Sequence, residues 1–419
     1  MRILILFARG SSNAVVNSID FPVFDPCLLI STLLTGKVQG SLEKNDYHEA
    51  LIKRTASLIL ALLRCDYFGG HLPVIDELMV MLRVPKAVLT SSLEALHESK
   101  ELELDGSGYR YLPSTEELPR IAFFCNQSLV SNYYGVVQDC FIGAEESFRE
   151  FGYRIVIRDD FTSVGSKLNI AKRLWEEGIQ GFLFSGFAEP RIRQWVLENR
   201  IPAIVVGNAT LYQQDLPRVC SDNVGGVQQM LRYLVSQGHS EIGCYAVGLE
   251  KFHGMQERVR SFEFGIEEMG MFPIREFMFR EVHAPGIARK AADIFLKMSI
   301  RPTAILCASD REAFELMHEL RASEIEIPRQ VSIVGFENSM NASISDPPLT
   351  SVEIFAVEMG RVAASFMKNE IQTRQIPVSI VLPAKVIVRQ SIHPKGIAIA
   401  NLIAERAKKT TKIPLPELL

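Results

Sequence analysis

PTAILCASD at 302–310 decides how this chain folds. Its apolar run passes abruptly into Ser309 and Asp310. A buried parallel strand reads this way when its carboxyl end opens into a loop. The same shape recurs outward from it, in VSIVGFEN (331–338), IPAIVVGN (201–208) and GFLFSGF (181–187), with PRIAFF (119–124) opening the series. Amphipathic stretches of helix length lie between these runs. The alternation predicts an α/β chain with parallel sheets, and ligands on such sheets sit at the carboxyl ends of the strands.

Two further strings complete an ordered set: LVSQGHSEIG (234–243) and DPPLTSVE (346–353). From residue 120 to residue 392 the chain resembles the effector-binding domain of the LacI/GalR transcription regulators, which is similar to periplasmic sugar-binding proteins. The resemblance implies a two-lobed periplasmic-binding-like domain with doubly wound parallel sheets. Lobe one is expected over 120–220 plus the stretch after Leu349. Lobe two is expected over 222–348 plus the last strands near 378–388.

A sugar-sized polyol needs paired donors and acceptors and an aromatic face. The resemblance places Arg260, in ERVRSFEFG (257–265), at the family's clamping arginine, although Glu263 stands where that pattern has glycine. Ser309 and Asp310 end one strand, and Asp310 either caps the next helix or accepts from a ligand hydroxyl. Glu337 follows IVGF, where the family usually has Asp. Ser185 and Asn208 end two other runs and point into the cleft on this reading. Tyr133 or Tyr134 falls at the family's stacking aromatic, and His283 near another. His283 reads equally as a loop or cap residue. Gly238 and His239 read as a helix stop before a strand.

Residues 46–112 form a separate unit. Apolar spacing predicts helices at about 49–65, 75–84 and 85–99, and alternation around DGSG (105–108) predicts a hairpin over 101–112. Three helices and a hairpin outline a winged helix-turn-helix. LP (72–73), DEL (76–78) and MLRVPKAVLTSSLEAL (81–96) resemble the GntR-type winged-helix domain. Carried over, Lys86 opens the recognition helix, Thr90 and Ser91 lie on its outer face, and Tyr109 and Arg110 belong to the wing. Asp76 and Arg83 depart from that pattern. Seven basic residues stand against ten acidic ones here, a net of −3. Phosphate neutralisation supplies most non-specific DNA affinity, so a DNA reader would depend on local clustering of Arg83, Lys86 and Arg110.

The 419 residues exceed one ordinary domain, and 47% hydrophobic with 22% charged residues suits a folded protein. A net charge of −4 does not announce a nucleic-acid partner. The seven cysteines are scattered with no CxxC pair, which predicts reduced core thiols in a cytoplasmic protein. No apolar run nears the ~18 residues of a membrane span. In MRILILFARG (1–10) the apolar run is shorter than the ~7–15 residues of a signal core, and Arg9 interrupts it. No phosphate loop, nucleophile elbow or metal-spaced His/Cys set occurs, so neither an enzyme nor a cofactor is expected. The remaining segments are an unassigned extension (1–45), a linker (113–119) and a tail (393–419). The expected function is a homodimeric DNA-binding regulator with a carbohydrate-type effector and an operator as partners. Its alternatives are a diverged regulator acting through protein contacts and an exported solute-binding protein.

Overall fold

A computed structural model describes residues 44–395, apart from 70–71, 83, 106–107, 112–116, 126–134, 159–166, 187, 208–214, 249–252, 272–276 and 283. The 1–45 extension, except its last two residues, the first part of the linker, Arg83 and the tail beyond 395 therefore lie outside the described residues.

The helical module contains α1 (Lys44–Arg64), α2 (Ile75–Leu82) and α3 (Lys86–Glu98). Strands β1 (Glu103–Asp105) and β2 (Gly108–Arg110) follow as an antiparallel hairpin, with Leu104 opposite Tyr109. Pro85 sits just before α3 with φ −60° and ψ 147°, where its fixed φ and missing N–H cost the helix nothing. Leu89, Leu93 and Leu96 recur on one face of α3 and are buried against Leu58, Ile59 and Leu62 of α1. Ser92 Oγ donates to the Ile52 carbonyl at 3.1 Å, fixing the two helices in register. The order of helices and hairpin follows the sequence reading; α1 begins at Lys44 rather than near 49, and the other helix ends agree within one or two residues.

Lobe one comprises β3 (Arg120–Cys125), α4 (Val136–Glu150), β4 (Arg154–Arg158), α5 (Lys167–Glu176), β5 (Ile179–Ser185), α6 (Pro190–Glu198), β6 (Ala203–Val206) and β7 (Arg218–Ser221). Lobe two comprises α7 (Asn223–Ser236), β8 (Ile242–Val247), α8 (His253–Glu268), β9 (Met278–Glu281), α9 (Ile287–Lys297), β10 (Ala304–Cys307), α10 (Asp310–Ala322) and β11 (Ser332–Val334). The chain then returns through β12 (Ser351–Glu353), α11 (Ala356–Thr373), β13 (Ile380–Leu382) and β14 (Lys385–Ile387). The lobe-one sheet runs β13-β7-β6-β5-β3-β4 and the lobe-two sheet β11-β10-β8-β9. All neighbours in both sheets are parallel. Helices cover both faces, so the strands are buried on two sides and read as continuous apolar runs.

One expected assignment is corrected. The last strands do not extend lobe two: β13 pairs with β7 at the edge of lobe one, and β14 pairs antiparallel with β12 at the crossing between lobes. A three-residue strand carries too little periodicity to name its partner, so tertiary packing decides.

Two features fix how bodies move together. In lobe one, a Cβ on Gly143 would lie 2.0 Å from the Val357 carbonyl, and one on Gly360 2.0 Å from that of Cys140. The backbones of α4 and α11 thus touch where only glycine fits, and the two helices form one block. One apolar cluster also runs unbroken from α1 and α3 into lobe one, joining Leu62 and Leu93 to Phe123, Phe141 and Phe148. The cysteines Cys65, Cys125, Cys140, Cys220, Cys244 and Cys307 are free and buried, as core thiols should be; Cys27 lies outside the described residues. No helix among the described residues is long and apolar enough to cross a membrane.

Candidate functional site

The carboxyl ends of the strands in the two sheets bring together a buried polar assembly where lobe two meets the crossings. Its centre is Arg258, on α8 and only 1% exposed. Nε donates to Asn223 Oδ1 at 2.9 Å, and Nη1 donates to the Ala308 carbonyl at 2.7 Å and to Glu337 Oε1 at 3.0 Å. The guanidinium carbon stands 4.0 Å from the centroid of the Phe336 ring. A planar fork over an aromatic face, with acceptors at its edge, is what arginine rather than lysine can satisfy. Asn223 opens α7 directly after the crossing strand β7, and its Nδ2 donates to Glu257 Oε2 at 2.8 Å. Burial pushes the Glu257 carboxyl upward in pKa.

The loop after β11 is tied into this centre. Glu337 has φ 105° and Asn338 φ 49°, an uncommon backbone for residues with side chains. Their conformation is held from several sides. Glu337 N donates to the Val352 carbonyl at 2.8 Å, and Asn338 N to Ser351 Oγ at 3.0 Å. Asn338 Nδ2 donates to Glu353 Oε2 at 2.6 Å, while Arg389 Nη2 donates to Asn338 Oδ1 at 2.7 Å. The turn that presents Glu337 is therefore anchored to β12, the strand that returns to lobe one.

Ser309, not Asp310, caps α10. Its Oγ accepts from Glu312 N at 3.3 Å, and Glu312 Oε2 accepts from Ser309 N at 3.1 Å, a complete capping box. Asp310 is fully buried. Its Oδ2 accepts from Ser339 N at 2.6 Å and its Oδ1 from Ser351 Oγ. A Cβ on Gly335 would lie 2.2 Å from Oδ1, so glycine is required for the carboxylate to reach its place. Burial raises Asp310 to about 7 and Glu312 to about 8.

Of the expected residues Glu337 meets Arg258, which the sequence reading did not single out, while Ser309 and Asp310 follow Ala308, whose carbonyl Arg258 also holds. Arg258 was legible in one respect: it lies a helical turn from Met255 and Phe262, on the buried stripe of α8 with Val259 and Ile266. Arg260, the expected clamp, falls on the exposed side of the same helix. Ser185 ends β5 in lobe one and is buried. Tyr133, Tyr134, Asn208 and His283 lie outside the described residues. In the helical module Lys86 and Arg110 are exposed, while Thr90, Ser91 and Tyr109 are half-buried. Lys86 Nζ stands 3.6 Å from Asp76, and the Tyr109 ring meets His97 of α3 edge-on. No group of His, Cys, Asp and Glu able to hold a metal ion occurs among the described residues.

The architecture and this strand-end assembly define a periplasmic-binding-like domain, and residues 231–392 match the model of the periplasmic binding protein-like domain family. The chain is 25% identical over 234 residues to the transcriptional repressor CytR of Escherichia coli strain K12, covering 56% of this chain and 68% of that one. It is 28% identical over 259 residues to the transcriptional regulator DegA of Bacillus subtilis, covering 60% and 75%. Among solved structures, a LacI-type regulator from Bacillus cereus subsp. cytotoxis superposes with a TM-score of 0.60 at 19% identity, covering 67% of this chain and all of that one. The regulator CelR in complex with cellobiose gives 0.59 at 20% identity, covering 76% of this chain and all of that one. The relatives point to LacI-type regulators and tell in part against the GntR-type label for 46–112; the helix-and-hairpin outline rests on the fold alone.

Proposed function

We propose that this protein is a ligand-responsive, DNA-binding transcription regulator. The observation that carries the reading is the pairing of two bodies in one chain: a two-lobed domain with polar loops at its strand ends, and a three-helix-and-hairpin module built into lobe one. The relatives named as transcriptional regulators support it. In the two-lobed domain a carbohydrate or carbohydrate derivative lies against Arg260, Ser309 and Glu337 from lobe two and Ser185 from lobe one, with Asp310 buried behind them. Asn208, Tyr133, Tyr134 and His283, outside the described residues, are further candidate contacts. Ligand favours one lobe arrangement, and in a homodimer that sets the spacing of two DNA readers. The module is a winged helix-turn-helix, with α3 presenting Thr90 and Ser91 to a groove and Lys86, Tyr109 and Arg110 meeting the backbone. The work is done in the cytoplasm and involves no membrane.

A second reading has its own support. The outward face of α3 carries Glu94 and Glu98, both exposed, and Lys86 already has an acid beside it. On this reading the module meets a protein rather than DNA. The decisive experiment runs two assays on one sample. A thermal-shift screen over neutral sugars, sugar phosphates and nucleosides should find a ligand that raises the melting temperature by mass action. Gel retardation of fragments from the protein's own upstream region should show binding that weakens with salt. Retardation absent even at ~50 mM salt leaves the protein-contact reading standing.

A further inference from the structure

Helix α1 is held by three bodies at once. Toward the module, it shares the apolar cluster with α3. Toward lobe one, Arg54 forks onto the first turn of α4: Nε donates to Asp139 Oδ1 and Nη2 to Gln138 Oε1, both at 2.9 Å. At its C-terminal end, Arg64 Nη1 lies 3.6 Å from the buried Glu145 of α4, and Arg154 Nε of β4 donates to the Arg64 carbonyl at 3.0 Å. Toward lobe two, α1 lies against the 3-10 turn Met340–Ser343. That turn belongs to lobe two, because Ala342 sits in its apolar core beside Tyr245 and Leu349. It also follows directly on the Glu337–Asn338 loop.

The lobe-one contacts run through two arginine side chains. Arg54 and Arg64 bind a helix that is fused by glycine contacts to α11. Asp139 also lies within electrostatic reach of Glu353, the carboxylate that holds Asn338 at the crossing between lobes. The Arg54 clamp therefore stands near the crossing.

We propose that α1 is the element through which lobe orientation reaches the reader, with Arg54 as its positioning residue. Arg54 fixes α1, and α3 with it, to lobe one. A change in lobe angle then makes or breaks the contact between α1 and Met340–Ser343. The inference rests on the regulator reading, since it names how that ligand site would act on α3.

The test reads lobe two from a change made in α1, and uses no effector. Amide hydrogen exchange is followed in the full chain for Arg54→Met, Asp139→Asn and the charge-retaining Arg54→Lys. The reporter is the Ala342 amide, buried and bonded to the Ser339 carbonyl at 2.8 Å. Losing the clamp should speed exchange at Met340–Ser343 about tenfold in Arg54→Met, the size of one lost charge-assisted hydrogen bond, with Arg54→Lys in between. Faster exchange confined to α1 and α4, with Ala342 unchanged, overturns the proposal, because a purely local brace behaves that way. If Arg54→Met does not fold, Asp139→Asn removes the same pair from the other side and is read identically. A parallel retardation assay separates the two ideas: no DNA binding by the wild type removes the regulator reading while leaving the exchange result to judge the coupling.

Discussion

The two-lobed domain and the helical module use charge in opposite ways. Around Arg258 the charges are buried, each with named partners, and the network fixes two residues in left-handed backbone. In the helical module the charges of α3 stand outside, and Lys86 and Asp76 form a solvent-washed pair. A buried network has one workable geometry, because an unpaired member there costs several kcal/mol. An exposed pair contributes about 0–1 kcal/mol and leaves the face free to change its partner. The first kind of charge specifies structure; the second is where binding partners are chosen.

The sharpest test of this contrast is Arg258→Met. It strands Glu337, the Asn223 side chain and the Ala308 carbonyl in a dry site. We expect a loss of about 3–5 kcal/mol, read as a fall in the urea midpoint. Arg258→Lys should recover little, since an ammonium cannot meet three acceptors as a planar fork. Lys86→Met should change the stability by less than ~0.5 kcal/mol. Equal effects at the two positions would erase the distinction.

Arg260 offers the next largest effect and a different readout. Two positions along α8 from Arg258, it points away from the core. Arg260→Ala should leave the urea midpoint almost unchanged while weakening the ligand found by thermal shift ~30–100-fold, or about 2–3 kcal/mol. An unchanged dissociation constant removes Arg260 from the site.

How much of this was legible follows from the range of each signal. The strings at 302–310, 331–338 and 201–208 gave strand ends, because buried parallel strands are apolar throughout and their loops are not. The helices of the module were legible from local apolar spacing. Arg258 and Arg260 were harder. Matching ERVRS to a family pattern picks the arginine by register, whereas the buried stripe through Met255, Val259 and Phe262 picks the other. β13 was misplaced because three residues name no partner. The seat of Arg54 on Asp139 spans 85 positions, and nothing local in the sequence announces a contact of that range. Asp310 reads in the sequence as a helix cap or a ligand acceptor; it is fully buried, and only the glycine at 335 and the two serines at 339 and 351 reveal its cradle.

Buried acids also make the sensor pH-sensitive in a predictable direction. Glu370 on α11 is buried with Oε2 unbonded, and burial raises its pKa to about 7 from an ordinary 4.5. The folded state then holds a proton that the unfolded chain releases. Stability from this group is therefore full below about pH 4.5 and lost as pH climbs through about 7. Asp310 and Glu312 act in the same sense. The melting temperature should fall between pH 5 and pH 8, and Glu370→Gln should reduce that fall by ~2–4 °C. A variant whose melting curve keeps the full slope would mean that Glu370 is ionised in the fold.

The smallest expected effects belong to the exposed face of the module, and they decide what it binds. If α3 enters a groove, Lys86→Ala and Arg110→Ala should each weaken binding to every sequence alike. Each should flatten the salt dependence by about one unit, because one phosphate contact releases roughly one counterion. Thr90→Ala and Ser91→Ala should instead change which sequences are preferred, since groove-facing side chains read base edges. Glu94→Gln supplies the opposite sign: removing an exposed acid from the same face should strengthen non-specific binding at low salt. Retardation at two salt concentrations resolves all three patterns. Should Lys86→Ala and Glu94→Gln leave DNA affinity untouched while altering self-association, α3 is a protein-facing surface, and the module's excess of acids is the chemistry its partner must match.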